Sequence, residues 1–336
     1  MRQTALAAAL VVLSLPAFAV DPQLMKLVMP DAKIVTGMNV TSAKVSPFGE
    51  FLFARKDLLS EGLWKFIGLS GFDLSQDVSE VLTATASSDV TRINDLVLTS
   101  GTFNVDKIVA ACKAAGAEIT VYRGQTLLSI ADSTSKVVSA VAFLGSSIAI
   151  SGEFGAVKAA IDRRGASTPA FDQALALQAN QLSEAEDVWL ALSYSPSVHR
   201  KAAEPDGKPL DPAAQLGALL KKYTFSCGIR FGAEVQFTGR AVSDDPPTVA
   251  TMYAIFKLLS GFGPMARIDP QFAKYSDLMQ VLQAAQIATV GPEVSIRLSM
   301  PQAQSEVVFD AVWRNMMSKG TAPAVAAPPK DDSKGK

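Results

Sequence analysis

Three segments in the second part of the chain alternate between apolar and polar residues. Apolar side chains occupy every second position of 223–231, 234–241 and 293–300. A period of two is typical of a β-strand that has one buried face and one face that is wet or lightly covered. The pattern therefore predicts strands of an antiparallel sheet. In the last two segments the intervening residues are polar or charged, namely Glu234, Gln236, Thr238 and Arg240, then Glu293, Ser295, Arg297 and Ser299.

Several predicted strands run straight into a segment with the 3.6-residue period of an amphipathic helix. Asn104 is placed to cap the first of these helices and Gly116 to end it. The same arrangement recurs along the chain. The predicted helices cover 105–115, 154–164, 248–259 and the residues that follow Pro301.

The order of strands and helices is similar in the two halves of the sequence, which predicts a duplication. In this alignment of patterns 33–55 matches 188–203, 81–85 matches 223–230, 96–116 matches 234–260, and 137–164 matches 293–318. The expected fold is α+β, with two related halves that are each an antiparallel sheet covered by helices on one face. The expected boundaries are a first repeat at 20–165, a connecting helix and linker at 166–186, and a second repeat at 187–319.

The N-terminus has the three parts of a secretory signal. Arg2 is followed by an apolar run over 5–15 and by the triplet Ala17-Phe18-Ala19, which fits an A-x-A cleavage site. We expect residues 1–19 to be removed and the mature chain to begin at Val20. The apolar run is shorter than the roughly 20 residues that cross a bilayer, so no integral span is expected in the mature chain. The expected location is the periplasm or the medium.

Composition narrows the classes of function. Removal of the signal leaves 30 basic and 32 acidic side chains, because Arg2 is the one charged residue that is lost. A nearly neutral chain offers no electrostatic reason to bind nucleic acid. Hydrophobic residues make up 49% of the sequence, which is enough for a large core. The last residues, 320–336, are rich in proline and alanine and then charged, and we expect this tail to be disordered.

The two cysteines are both predicted to point inward. Cys112 belongs to the apolar stripe of the 105–115 helix, and Cys227 lies on the apolar side of the 223–231 strand. Burial as small hydrophobic residues is the favoured interpretation. A disulfide would require the two Cα atoms to lie within about 7 Å, and the sequence leaves that question open.

The familiar catalytic and metal-binding patterns are incomplete in this sequence. His199 is the only histidine, and neither Ser195 nor another serine lies in a G-x-S-x-G elbow, so a surface histidine is the favoured interpretation. We expect no metal and no cofactor. Ser133 and Lys136 match the S-x-x-K motif of penicillin-interacting serine enzymes, without the later motifs of those enzymes. They are the candidate pair for the alternative function, a serine hydrolase acting on envelope material.

The segment from Met252 to Leu259 is apolar almost all around its helix. Such a helix is either sandwiched between two layers or exposes one side to a partner. Burial is the commoner case, but the second case makes this segment the candidate interaction surface, or the lid of a cavity that carries an apolar small molecule. The residues of this candidate surface are Tyr253, Phe256, Phe262 and Met265.

Three pieces of the sequence resemble a loose class of exported bacterial proteins of unknown function, in which strand and helix modules repeat behind a signal peptide. They are 24–40 (LMKLVMPDAKIVTGMNV), 141–164 and Ser299-Met300-Pro301. The resemblance implies the modular α+β fold and lends no activity and no site residues. The expected function is non-catalytic binding or interaction within the bacterial envelope, and the expected partner is an envelope protein or an apolar ligand.

Overall fold

The structure is a computed structural model, and it describes residues 20–55, 70–87, 95–131, 138–193, 224–261, 281 and 283–318. Within these ranges twelve strands form one sheet in which every pair of neighbours is antiparallel. The predicted α+β class and the antiparallel sheet are confirmed. The predictions for the signal at 1–19 and the tail at 320–336 lie outside the described residues.

The strands are β1 (Ile34–Asn39), β2 (Val78–Thr85), β3 (Leu96–Gly101), β4 (Glu118–Tyr122), β5 (Gln125–Ala131), β6 (Val138–Leu144), β7 (Ile148–Glu153), β8 (Val188–Leu192), β9 (Thr224–Phe231), β10 (Glu234–Val242), β11 (Gln286–Val290) and β12 (Glu293–Pro301). The helices are α1 (Pro22–Leu27), α2 (Val40–Ala43), α3 (Pro47–Ala54), α4 (Leu74–Asp77), α5 (Val105–Ala114), α6 (Phe154–Arg163), α7 (Gln173–Ala185), α8 (Pro246–Gly261) and α9 (Gln302–Ser318).

The strand order is β11-β12-β10-β9-β8-β1-β2-β3-β7-β6-β5-β4. The pair β1 and β8 lies between the two halves of the chain, and each half extends outward from it. The register of all the strand pairs defines one row of residues that crosses the whole sheet on a single face. From β4 to β11 that row is Thr120, Leu127, Ala142, Ile150, Leu98, Leu82, Gly37, Trp189, Gly228, Thr238, Arg297 and Gln286. We call the face that carries this row the first face.

Local sequence explains where the helices begin and end. The Asn104 side chain accepts a hydrogen bond from the backbone N–H of Lys107 at 3.1 Å, which caps α5 as predicted. Gly116 follows the end of α5 with a φ of +88°, in the left-handed region that favours glycine. Asp172 caps α7 in the same way, by accepting from the N–H of Leu175 at 2.8 Å.

Helices α1, α6 and α7 cover the first face in the first half of the sheet. Val157 and Ile161 of α6 and Leu175 of α7 are fully buried in the largest apolar cluster of the described residues, together with Leu98 and Ile150 of the sheet. The segment at 166–186 is thus more than a linker, because its helix packs directly on β8 and β1.

A second apolar cluster covers the opposite face, which we call the second face. Leu128 and Phe143 belong to it, together with Ile108 and Cys112 of α5. Leu127, the neighbour of Leu128, belongs to the first-face cluster. The expectation that helices cover one face of each half is therefore not confirmed, since the first half buries apolar residues on both faces.

In the second half, helices α8 and α9 pack on the second face. Met252 of α8 is buried against Ala241 and Val294, and Val308 of α9 packs against the cluster of Leu298 and Met300. An aromatic cluster joins α9 to α3 and β9 on the same side. Its members are Phe48, Phe51, Phe231, Phe309 and Trp313, and Arg55 forms an ion pair with Asp310 beside it.

Trp189 packs over a glycine at the centre of the sheet. Gly37 of β1 is its direct cross-strand neighbour, and a Cβ atom added at Gly37 would lie 2.3 Å from Cε2 of the Trp189 ring. The indole is 3% exposed. The absence of a side chain at position 37 therefore creates the space in which the largest side chain of β8 is buried.

We predict that Gly37→Ala destabilises the protein by about 2 kcal/mol, because the new methyl group must displace a packed indole ring. The measurement is the free energy of unfolding from urea titration. Gly155→Ala is the matched control, since a Cβ atom there meets no atom within 4 Å and position 155 is helical. The control should be neutral or stabilising. Equal stability of the two variants would contradict the packing described here.

Candidate binding surface

The first face of the sheet changes from apolar to polar at the second half. On β10, Gln236, Thr238 and Arg240 lie on this face, and their neighbours on β12 are Ser299, Arg297 and Ser295. Gln286 of β11 extends the row beside Arg297. We call this region, from Arg230 on β9 to Gln286 on β11, the polar face. Its residues are Arg230, Glu234, Gln236, Thr238, Arg240, Gln286, Glu293, Ser295, Arg297 and Ser299.

The side chains of the polar face are accessible to solvent. Gln236, Arg240, Arg297, Ser299 and Gln286 are all exposed. The apolar clusters of this half use the alternate residues of the same strands, which point to the second face. On β10, β12 and β11, the outward side chains of the first face are therefore not buried under the apolar helices that the structure describes.

Glu186 lies at the edge of the helices that pack on the first face. It follows α7, and its side chain lies over Gly228, where an added Cβ atom would be 2.3 Å from the Glu186 Cγ. Its carboxylate accepts a hydrogen bond from the Thr238 hydroxyl at 2.7 Å. Burial raises the pKa of Glu186, whereas this hydrogen bond and the charges of Arg230 and Arg240 act to lower it.

The acidic groups of the polar face already have partners within it. The Glu234 carboxylate accepts a hydrogen bond from the Ser299 hydroxyl, and Glu293 lies 3.9 Å from the guanidinium of Arg240. Arg297, in contrast, forms no ion pair and no side-chain hydrogen bond within the described part of the chain. The polar face therefore presents an exposed guanidinium that is available to an external anion.

A shallow groove of about 350 Å³ follows the same strands. The polar-face residues among those that line it are Gln236, Thr238, Gln286, Arg297 and Ser299. Amide, hydroxyl and guanidinium groups are thus grouped along one groove, and together they can donate several hydrogen bonds to carboxylate or carbonyl oxygens.

A wider groove of about 740 Å³ lies at one end of the first half. Phe103 and Phe143 line it with ring centroids 5.9 Å apart, and Asp77 and Asp106 are among its polar residues. Asp77 already accepts a hydrogen bond from the backbone N–H of Asp73 at 2.8 Å, and Asn104 is engaged as a helix cap. Asp77 and Asn104 thus already accept hydrogen bonds from nearby backbone N–H groups. This groove is therefore the weaker candidate for a binding site.

The candidate surface predicted from the sequence is only partly described. Tyr253 and Phe256 are partly buried and pack against the apolar cluster beneath α8. Lys257 places its Nζ 5.7 Å from the centroid of the Tyr253 ring, and Leu258 is 60% exposed. Phe262 and Met265 lie outside the described residues, so a surface built from all four stays a prediction.

The residues considered for catalysis also lie outside the described ranges. Ser133 and Lys136 fall in 132–137, and His199 falls in 194–223. Across the residues that the structure describes, no group of three His, Cys, Asp or Glu side chains is arranged to hold a metal ion. The helices in these ranges include none that is both long enough and apolar enough to cross a membrane.

Both cysteines are free thiols in the structure. Cys112 is buried on α5, and Cys227 is partly buried on the second face of β9. Burial raises the pKa of the Cys112 thiol, and burial together with the nearby charge of Glu186 raises the pKa of Cys227 to about 11. Both side chains therefore stay protonated near neutral pH.

Comparison with family models, with curated proteins and with solved structures found no match to this chain. The arrangement of its own residues is therefore the basis of the functional argument.

We predict that neither cysteine reacts readily with iodoacetamide at pH 7.5, because the thiolate is the reactive form and burial disfavours it. Mass spectrometry should show alkylation of both cysteines at least roughly tenfold slower in the native protein than in guanidinium chloride, because burial both raises the thiol pKa and blocks access of the reagent. Rapid alkylation of native Cys112 or Cys227 would contradict the burial of these thiols.

Proposed function

We propose that this protein is an exported, non-catalytic binding protein of the bacterial envelope, and that its polar face binds an acidic surface of a partner protein. The observation that carries the proposal is the exposed guanidinium of Arg297 on the polar face, which forms no ion pair and no side-chain hydrogen bond with the residues that the structure describes. The secretory pattern at 1–19 supports the location.

The dimensions of the polar face favour a protein partner over a small ligand. Strands β10 and β12 each have nine residues, and the face extends over four strands from β9 to β11. With about 3.4 Å per residue and 4.8 Å between strands, the face measures roughly 30 by 15–20 Å. That area of about 500 Å² is close to the lower end of what one partner contributes to a specific interface. A transient complex fits this size.

Charge favours an acidic partner. Arg297 and Arg230 are exposed and form no salt bridge among the described residues, whereas Glu234 and Glu293 are already engaged. Carboxylates of a partner can pair with these guanidinium groups in a two-point geometry, and the amides of Gln236 and Gln286 can add hydrogen bonds. Pairs of this kind at an accessible face weaken as ionic strength rises.

We also propose that the two halves of the chain are related repeats. Moving outward from the central pair, β2, β3, β7 and β6 follow β1, and β9, β10, β12 and β11 follow β8. In both halves the third strand leads to a helix on the second face, α5 after β3 and α8 after β10. The same order of strands around an antiparallel central pair supports a duplication.

The binding proposal is tested by placing a photoreactive residue at Gln236 in cells that make the protein naturally. We predict one discrete crosslinked species, which mass spectrometry identifies as a protein with an acidic patch at the crosslinked site. Arg297→Glu should reduce the yield at least roughly tenfold, because it replaces attraction by repulsion of the partner's carboxylates.

Lys113→Glu is the matched control, since it makes the same change of charge at an exposed position on α5 in the other half. It should leave the crosslink unchanged. The proposal is wrong if no crosslink forms at Gln236, or if both charge reversals reduce it equally.

A further inference from the structure

The residues that directly follow the predicted cleavage site are held in the core. Val20 is 1% exposed, and its backbone nitrogen donates a hydrogen bond to the Ser183 hydroxyl of α7 at 3.0 Å. Leu24 and Leu27 of α1 are buried in the largest apolar cluster. The residues after the predicted cleavage site are thus part of the packed structure, and the Val20 nitrogen is held by a hydrogen bond.

A partly buried carboxylate lies next to this N-terminus. Glu80 projects from β2 on the first face, and its Oε2 accepts a hydrogen bond from the backbone N–H of Asp21 at 3.0 Å. Burial raises the pKa of Glu80 to about 7, and the nearby charge of Asp21 acts in the same direction. Within the described ranges Glu80 forms no salt bridge, so none of the cations in these ranges compensates its charge by direct pairing.

The nitrogen of Val20 lies close to this carboxylate. Three covalent bonds join it to the nitrogen of Asp21, and with standard bond lengths it is within about 7 Å of the Glu80 Oε2. Opposite charges at about 4–6 Å strongly favour the ionised form of a carboxyl group. A charge on the nitrogen of Val20 would therefore act directly on Glu80.

We propose that cleavage before Val20 creates the counter-ion of Glu80. Hydrolysis breaks the peptide bond between Ala19 and Val20, and water supplies the hydroxyl of the new Ala19 carboxyl group. The amino group left on Val20 takes up a proton, because α-amino groups have pKa values of about 7.7–8.0. The inference rests on the proposed export, in which residues 1–19 are a cleaved signal.

The surroundings suit an ammonium group. The Ser183 hydroxyl donates its own hydrogen to the backbone oxygen of Asn180 at 2.8 Å, so its lone pairs remain free to accept from Val20. An ammonium group has three N–H donors where the peptide nitrogen has one. One donor is then satisfied by Ser183, and the positive charge lies within about 7 Å of the Glu80 Oε2. Processing would thereby stabilise the exported form of the chain.

The experiment compares four recombinant proteins at pH 7.5. Two begin at Val20 and two begin at Phe18, each with either Glu80 or Glu80→Gln, and all extend to Lys336. The two added residues, Phe18 and Ala19, restore the peptide nitrogen of Val20 and move the ammonium group away. The Glu80→Gln pair cancels any effect of the added residues that does not involve the Glu80 charge. Urea titration gives the unfolding equilibrium constant of each protein.

We expect the extension to raise the unfolding constant of the Glu80 protein about tenfold relative to its effect in the Glu80→Gln protein, which corresponds to one pKa unit of interaction. An equal effect of the extension in both backgrounds would overturn the ion pair.

A second measurement covers the case in which Glu80→Gln fails to fold. In the wild-type background, an amine-reactive reagent should label the Val20 amino group at least tenfold more slowly than the Phe18 amino group of the extended protein. Equal labelling rates would overturn the proposal.

The mass of the protein purified from the envelope separately tests the cleavage position. A start at another residue would also overturn the proposed ion pair, while leaving the proposed binding function intact.

Discussion

The pairing of β1 with β8 is the constraint on which the rest of the structure depends. These two strands come from different halves of the chain, and their antiparallel register joins the halves into one sheet. Trp189 is buried over Gly37 at this point, and helix α7 packs across both strands. On the opposite face the aromatic contacts of α3 with β9 and α9 join the same two halves. Apolar burial therefore holds the central junction from both sides.

The two halves differ in where their last helices lie, and this difference exposes the polar face. Helix α6 follows β7 and covers the first face, where Val157 and Ile161 are buried. Helix α9 follows β12 and packs on the second face, where its partners are apolar residues of β10 and β12. The first face of β12 offers Arg297 and Ser299 instead, and these side chains would lose their hydration beneath an apolar helix. The face on which α9 packs thus follows from the alternation of apolar and polar residues in β12.

Much of this arrangement was predictable from local patterns. The alternation of β10 and β12, the cap at Asn104 and the inward position of Cys112 are all local properties, and each one is confirmed. The row that connects Thr238, Arg297 and Gln286 was not predictable, because it depends on the register between strands that are up to about 50 residues apart. The packing of helices on both faces of the first half was not predictable for a related reason. The alternation of a strand shows which of its faces is apolar, but it does not show which helices pack on either face.

The environment of Glu80 also depends on contacts between distant parts of the chain. Glu80 shares the first face of β2 with Leu82 and Ala84, which are buried, but the sequence does not show which elements cover that face. Its surroundings come from the segment before α1, which places Val20 and Asp21 on the first face beside α7. Val20 and its partner Ser183 on α7 are more than 100 residues apart along the chain. Because burial desolvates the carboxylate and it has no salt bridge within the described residues, its charged form is disfavoured. If the chain is cleaved before Val20 as proposed, the new ammonium group would reverse this balance without any further change in the described fold.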